Sequence, residues 1–282
     1  MSLYITSLNS GSNGNCYYIG NTNEAVLIDA GISCRETEKR MKRLGLDIKI
    51  VKAIFISHEH TDHINGVAVL SKKNQLPVYI TEATYKSSGL KIEQQLVREF
   101  KEDEPVTIGG LTVTPFQKLH DAIHPHSFTI ANELVKIGVF TDIGFPCEKL
   151  IYHFQQCHAA FLEANYDEDM LHNGSYPFYL KKRISGGEGH LSNTQAVQIF
   201  TTYRPVFMSH LILSHLSKNN NTPEIVERLF NIHKCCTEII VASRLKETPL
   251  FFIGTKNPAS RKVSKRSKIM QQQLSLFNAI IW

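Results

Sequence analysis

The 282-residue chain has ordinary hydrophobic content, 42 %, and no apolar run near the ~20 residues that cross a bilayer, which excludes a membrane span as its organising feature. Its net charge of +5 is concentrated at one end. Residues 255–282 hold six Lys or Arg and no acid, whereas residues 1–254 carry 25 basic and 26 acidic side chains. The body is therefore near neutral, and only the tail has the composition of an arm that meets a polyanion or a partner, or of a solvated end.

Taken in chain order, Leu3–Ile5, Cys16–Ile19 and Ala25–Ile28 read as strands around a Gly/Ser/Asn loop. Ser33–Leu44 reads as a helix with Ser33 as N-cap and Gly45 beyond its end. Val51–Ile56 is an apolar strand running into a His-rich segment. A helix over Gly66–Lys72 and a strand at Val78–Ile80 follow, then alternating strands and turns over 104–141. Helices are expected over 146–156, 167–182 and 193–203, a strand over Val206–Leu213, and a helix from Pro223 to Cys235. Ile239–Ala242 and Leu250–Ile253 close the body. This alternation is an α/β pattern. The expected organisation is a catalytic domain over 1–254 and a flexible basic tail over 255–282. The N-terminus lacks a basic stretch followed by a long apolar one, so no signal peptide is expected. Six cysteines without CxxC spacing point to a reduced, cytoplasmic chain.

The segment His58-Glu59-His60-Thr61-Asp62-His63 packs three imidazoles and a carboxylate into six residues directly after a strand. Nitrogen and carboxylate oxygen suit Zn²⁺ and related ions. In extended chain His58 and His60 point the same way. A turn into helix would swing Asp62 and His63 toward a second point nearby. One segment can thus serve two divalent ions, Zn²⁺ or Mn²⁺, and such a pair polarises a phosphoryl or carbonyl oxygen and supplies hydroxide at neutral pH.

This motif resembles the signature of the metallo-β-lactamase superfamily, and the other signature elements follow in order: Asp29 in Val26–Gly31, His120 in Lys118–Asp121, Asp142 in Val139–Gly144 and His215 in Ile212–Ser217. The resemblance implies an αββα sandwich, two mixed β-sheets flanked by helices. It implies one metal held by His58, His60, His120 and Asp142, a second by Asp62, His63, Asp142 and His215, and an Asp29 that orients ligands from behind. Oxygen-reducing di-iron members carry a carboxylate where this chain has His60, which favours hydrolysis.

Four passages resemble the YycJ/WalJ-like branch of that superfamily, whose members look like nucleases: Leu8–Asn15, Leu119–Ala122, Gly189–Asn193 and Ser214–Asn221. The first is a Gly-rich turn whose amides and hydroxyls could cradle a phosphate; otherwise it is an ordinary hairpin loop. Ser10, Ser12 and Asn13, with Asn219 of the last passage, are the candidate phosphate-binding residues. Related tRNA 3′-processing enzymes pair a Glu after the bridging Asp with a later His as proton donor to the leaving alkoxide. Glu163 and His190 stand in that order here, and with Asp62 they are the candidate catalytic residues. His124 and His126 depart from the subgroup's wording and read as a solvated loop rather than a groove lining. Only 73 residues separate Asp142 from His215, too few for the large cap domain of RNA-degrading relatives.

In the tail, Gln273-Leu274-Ser275-Leu276-Phe277 resembles the bacterial sliding-clamp-binding pentapeptide. Leu276 and Phe277 would fill an apolar pocket and Gln273 would bond at its rim. The combined expectation is a dinuclear phosphodiester hydrolase, a DNA exonuclease in repair or replication recruited by the clamp, with DNA favoured over RNA and no membrane partner. A small-molecule phosphodiesterase of the same fold, or an RNA-processing nuclease, is the alternative.

Overall fold

The computed structural model describes residues 2–254; Gln273, Leu274, Leu276 and Phe277 lie outside the described residues. The first half contains β1 (Leu3–Asn9), β2 (Cys16–Gly20), β3 (Ala25–Ile28), α1 (Cys34–Arg43), β4 (Val51–Phe55), α2 (Thr61–Ile64), α3 (Val67–Asn74), β5 (Val78–Tyr79), α4 (Glu82–Ser88) and β6 (Val97–Arg98). Its strands pair in sequence order, antiparallel as far as β3 and parallel from β3 to β6.

The second half contains β7 (Val106–Ile108), β8 (Leu111–Gln117), β9 (His126–Ala131), β10 (Lys136–Phe140), α5 (Glu148–Phe154), β11 (Ala159–Glu163), α6 (Glu168–Asn173), α7 (Phe178–Ser185), α8 (Asn193–Tyr203), β12 (His210–Ser214), α9 (Pro223–Asn231) and β13 (Glu238–Val241). These strands also pair in order, antiparallel to β10 and parallel thereafter. Finally β14 (Phe251–Ile253) returns to pair antiparallel with β1, completing the first sheet. Among the described residues no helix is long and apolar enough to cross a membrane.

The two sheets bury one face against each other and the other against helices. In β2, Tyr17 and Ile19 enter the core between the sheets, where they meet Phe55, Phe128 and Phe161. Cys16 and Tyr18 point to the outer layer with Met41, Val67 and Leu70 of the helices. On the far side, Phe140 and Leu162 pack against Phe154, Phe200 and Phe230. Strands buried on both faces read as continuous apolar runs rather than alternating ones, and β2, β3 and β11 are buried throughout. The expected αββα sandwich is therefore the observed one.

Several expected elements differ. The helix over 167–182 is two, because Gly174 ends α6 and Pro177 caps the start of α7; proline supplies no amide to continue a helix. The strand expected from Val206 begins at His210, and the helix expected to reach Cys235 stops at Asn231. Strand β11 was not expected; its five buried residues form a run too short and uniform for periodicity to classify. The solvated-loop reading of His126 is corrected. This residue opens β9 and is wholly buried, its ring edge-on to Phe100 at 5.1 Å. Its Nδ1 bonds the His124 carbonyl at 3.0 Å, and its Nε2 is buried without a partner.

Candidate metal centre

Asp29, His58, Asp142, Glu163 and His215 stand at or just beyond the carboxyl ends of β3, β4, β10, β11 and β12, and His120 follows β8. The sandwich thus delivers side chains from both sheets to one seam. Asp29, Asp142 and His215 have φ of 60°, 57° and 57°, a left-handed conformation that costs non-glycine residues about 1–3 kcal/mol and concentrates at functional sites. The bend turns each side chain from the strand direction into the seam.

The His58–His63 segment is laced to its neighbours through the backbone. The Asn15 amide donates to the Asp62 carbonyl at 2.7 Å, and the Ala30 amide to that of His63 at 2.9 Å. The fit is tight: a Cβ on Gly31 would lie 1.7 Å from the Asp62 carbonyl oxygen, and one on Gly66 would lie 2.0 Å from that of Ile32.

Four imidazoles, those of His58, His63, His120 and His215, have one nitrogen fixed from behind. His63 Nδ1 is 2.7 Å from Asp29 Oδ2, and Asp29 also accepts the Ser57 amide and hydroxyl at 2.8 Å each. The Ser57 Oγ faces His58 Nδ1 at 2.8 Å. His120 Nδ1 meets the Gly189 carbonyl at 3.0 Å, and His215 Nδ1 meets Glu163 Oε1 at 2.9 Å. Such partners fix the tautomer and aim the other nitrogen inward. His58 Nε2 and His120 Nε2 accordingly converge on His60 Nδ1, at 3.1 and 3.4 Å. On the other side, Asp62 Oδ2 lies 3.5 Å from both His63 Nε2 and His215 Nε2. Asp142 sits between the two groups, 3.3 Å from His63, 3.9 Å from His120 and 3.5 Å from His215.

The donor set fits divalent cations. Ligand-type atoms of His58, His60 and His120 lie within 4.8 Å of one another, as do those of Asp62, His63 and His215, and Asp142 joins two further such groups. Ring nitrogens converging at 3.1 Å must share either a proton or a cation. Asp142 Oδ2 is buried without a hydrogen-bond partner, an arrangement that burial penalises unless a cation meets the charge. The shifts agree. Burial opposes charging of His63, yet Asp142, Asp29 and Asp62 hold its pKa well above the usual imidazole value. His215 is likewise opposed by burial and raised to about 10 by Asp142, Asp62 and Glu163. Burial alone would raise the Asp62 and Asp142 carboxyls, but the imidazoles around them hold both below the carboxylate range. His58 and His120 are pushed down, first by burial, His120 to about 4. The carboxylates on the His63 side thus demand positive charge, and the other side offers neutral nitrogen.

The expected Glu163–His190 pair is present. His190 Nδ1 is 2.8 Å from Glu163 Oε1, while Glu163 Oε2 accepts the Ile143 and Leu191 amides at 2.8 and 3.1 Å. Glu163 is wholly buried. Burial would raise its pKa, but His190 and His215 bring it down to about 2. One carboxylate therefore orients two imidazoles, which its order in the sequence did not show.

A cavity of about 310 Å³ opens here, lined by Ser12, His60, Thr61, Asp62, Asp142, Arg183, His190 and His215. Of the candidate phosphate-binding residues, only Ser12 lines it. Ser10 is buried, its Oγ 2.8 Å from the Tyr17 hydroxyl and accepting the His215 amide at 2.7 Å; it positions His215 instead of facing a phosphate. Asn13 donates to the Arg244 carbonyl and Asn219 to the Tyr176 hydroxyl, both away from the cavity lining. The turn's amides at Gly11, Gly14 and Asn15 are taken by Asn15, Gly11 and Asp62.

Four contributors were not expected. Besides Ser57, Asn15 Nδ2 lies 3.0 Å from both Asp62 Oδ2 and His63 Nε2, and Asn165 Nδ2 donates to the His215 carbonyl at 2.8 Å. Lys118 is buried with its Nζ on the Thr141 carbonyl at 2.7 Å. Burial lowers its pKa, against the pull of Asp142 and Asp29.

Comparison with known proteins matches residues 24–216 to the beta-lactamase superfamily domain. The chain is 34 % identical to exodeoxyribonuclease YycJ of Bacillus anthracis over 80 % of its own length and 86 % of the relative's. It is 30 % identical to exodeoxyribonuclease WalJ of Streptococcus pneumoniae over 77 % and 83 %. The chain belongs to the beta-lactamase superfamily, in its YycJ/WalJ-like branch. The metallo-β-lactamase-fold protein YhfI of Bacillus subtilis shares the architecture at a TM-score of 0.70, with 16 % identity over 89 % of this chain and all of that one. The protein is a metal-dependent hydrolase.

Proposed function

We propose that the protein is a dinuclear metal-dependent nuclease that removes nucleotides from DNA ends in repair or replication. The observation that carries this reading is the Glu163–His190 pair at the edge of the cavity, 2.8 Å apart and directly beside Asp142. A carbonyl hydrolase with a good leaving group has little use for an extra acid, whereas an alkoxide leaving from a phosphodiester needs a proton. In this reading His58, His60, His120 and Asp142 would hold one ion and Asp62, His63, Asp142 and His215 the other. Two such ions would supply charge stabilisation at phosphoryl oxygens and an activated water.

The chain's own residues do the rest. Glu163 fixes His190 with its Nδ1 inward, leaving Nε2 to donate to the leaving 3′- or 5′-oxygen. Asp62 stays ionised and lines the cavity, placed to accept the proton of the attacking water. Ser12 and Arg183 line the same cavity and are placed to meet the non-bridging oxygens. The relatives named as exodeoxyribonucleases support DNA as substrate and an exonucleolytic mode. The free cysteines fit a reducing compartment, and we place the protein in the cytoplasm with the sliding clamp as its recruiting partner through Gln273–Phe277.

The test is incubation with 5′- and 3′-labelled single- and double-stranded DNA and RNA under Mn²⁺ and under Zn²⁺. Progressive mononucleotide release from DNA is the expected result. Hydrolysis of a chromogenic diester with no polynucleotide cleaved would move the protein to the small-molecule alternative, and cleavage confined to RNA would make it an RNA-processing enzyme.

A further inference from the structure

We propose that α7 is a ramp that leads a single-stranded polynucleotide into the metal centre, with Tyr179 stacking on a base and Lys182 and Arg183 holding phosphates. This inference rests on the nuclease reading. The helix sequence, Phe178-Tyr-Leu-Lys-Lys-Arg-Ile-Ser185, has three consecutive cations and no acid. Phe178 and Tyr179 are 81 % and 73 % exposed, an unusual display of two large rings on a short surface helix unless something covers them.

The direction comes from helix geometry. Residues four apart share a face, so Tyr179 stands one turn, about 6 Å, from Arg183 along the axis. Arg183 itself lines the cavity with Asp62, Asp142, His190 and His215. The stripe from Tyr179 to Arg183 therefore runs from open solvent to the reactive side chains. Its position is fixed at the inner end: Arg183 Nε is ion-paired with Asp121, the neighbour of His120, and the His190 amide donates to the Ile184 carbonyl at 2.9 Å. A guanidinium carries five N–H donors, so an Asp121 contact through Nε orients the group without exhausting it.

A single strand is the occupant this chemistry suits. An aromatic face accepts any unpaired base, and flanking cations track the backbone; a paired duplex keeps its base faces covered. Lys181 Nζ is turned to the His172 carbonyl and takes no part.

The experiment uses the full chain and fluorescence anisotropy with a labelled phosphorothioate oligonucleotide, which resists cleavage, in thymidine and uridine versions and as a duplex. Steady-state cleavage of the unmodified strand is measured in parallel. Tyr179→Ala is expected to weaken single-strand binding roughly 5- to 100-fold, as loss of one stacked base does. It should raise KM by a similar factor with kcat within about twofold. Tyr179→Phe, which keeps the ring, should restore both. Tyr179→Ala binding and cleaving like wild type would overturn the ramp while leaving the nuclease reading intact. Equal weakening of duplex and single strand would overturn stacking, as would failure of Tyr179→Phe to restore binding. Wild type that binds the strand but cleaves no polynucleotide would sink the nuclease reading and not the ramp.

Discussion

Glu163 holds two imidazoles at once, His190 at 2.8 Å and His215 at 2.9 Å, and the proposed function gives the two different tasks. If His190 delivers a proton, His190→Ala should lower kcat roughly 10²- to 10⁴-fold while metal content, measured by elemental analysis, stays at the wild-type level; lost metal would instead make His190 a ligand. Glu163→Gln should do both, because His215 loses the group that aims it, and metal affinity should fall roughly 10- to 100-fold. His126 gives a prediction of another kind. Burial pushes its pKa down to about 4, against about 6.5 in the unfolded chain. The folded state then binds fewer protons, so its stability is full above about pH 6.5 and falls as pH drops toward 4. From pH 7 to 5 this one group costs on the order of 2 kcal/mol. Replacing it, His126→Phe should flatten the loss seen in urea midpoints at those two pH values; equal losses in both proteins would count against a buried neutral imidazole. The candidate ligand residues were legible because the motif is local and its partners recur in order at strand ends. Asn15, Asn165 and Lys118 were not, since an Asn or Lys gains its role from a partner such as Asp62 or the Thr141 carbonyl that only folding brings near.

At the scale of elements, the site depends on how closely α2 is pressed against the loop after β3. Position 31 has no room for a methyl group, which would meet the Asp62 backbone at 1.7 Å. Gly31→Ala must push the 60–63 segment away and displace His60, Asp62 and His63 together. Thermal unfolding should show a loss of about 1–3 kcal/mol, the usual size of an overpacking defect, and metal content should drop with it. Gly187→Ala is the control, because a Cβ there meets nothing within 4 Å. A stable, metal-replete Gly31→Ala protein would show that the loop yields and that the metal segment does not depend on it. Strands next to the site were easy to read where turn residues bracket them, as with Ala25–Ile28. Strand β11 was not, although it carries Glu163: it is buried on both faces, so it shows neither alternation nor helical spacing.

At the scale of the whole molecule, the charge is unevenly divided along the sequence. The β14–β1 pairing closes the first sheet at Ile253, and the body up to residue 254 is nearly neutral while the six cations beyond it are unopposed. A neutral body gains little from the salt-dependent attraction that concentrates most nucleases on their substrate. Delivery by a partner already on DNA would replace that attraction, since tethering raises the effective concentration of the substrate without any new contact to it. The Gln273-Leu274-Ser275-Leu276-Phe277 sequence is the candidate attachment. A synthetic peptide of residues 268–282 should bind the purified clamp, and Leu276→Ala with Phe277→Ala should abolish binding, because two apolar anchors carry most of such an interaction. In the full chain the same double substitution should leave cleavage of a naked oligonucleotide unaltered and remove any stimulation by a clamp loaded on primed DNA. No peptide binding at roughly tens of micromolar, an interaction free energy near 6 kcal/mol, would refute recruitment by the clamp. The tail would then be left to its cations alone, and the metal centre would have to find DNA ends by diffusion.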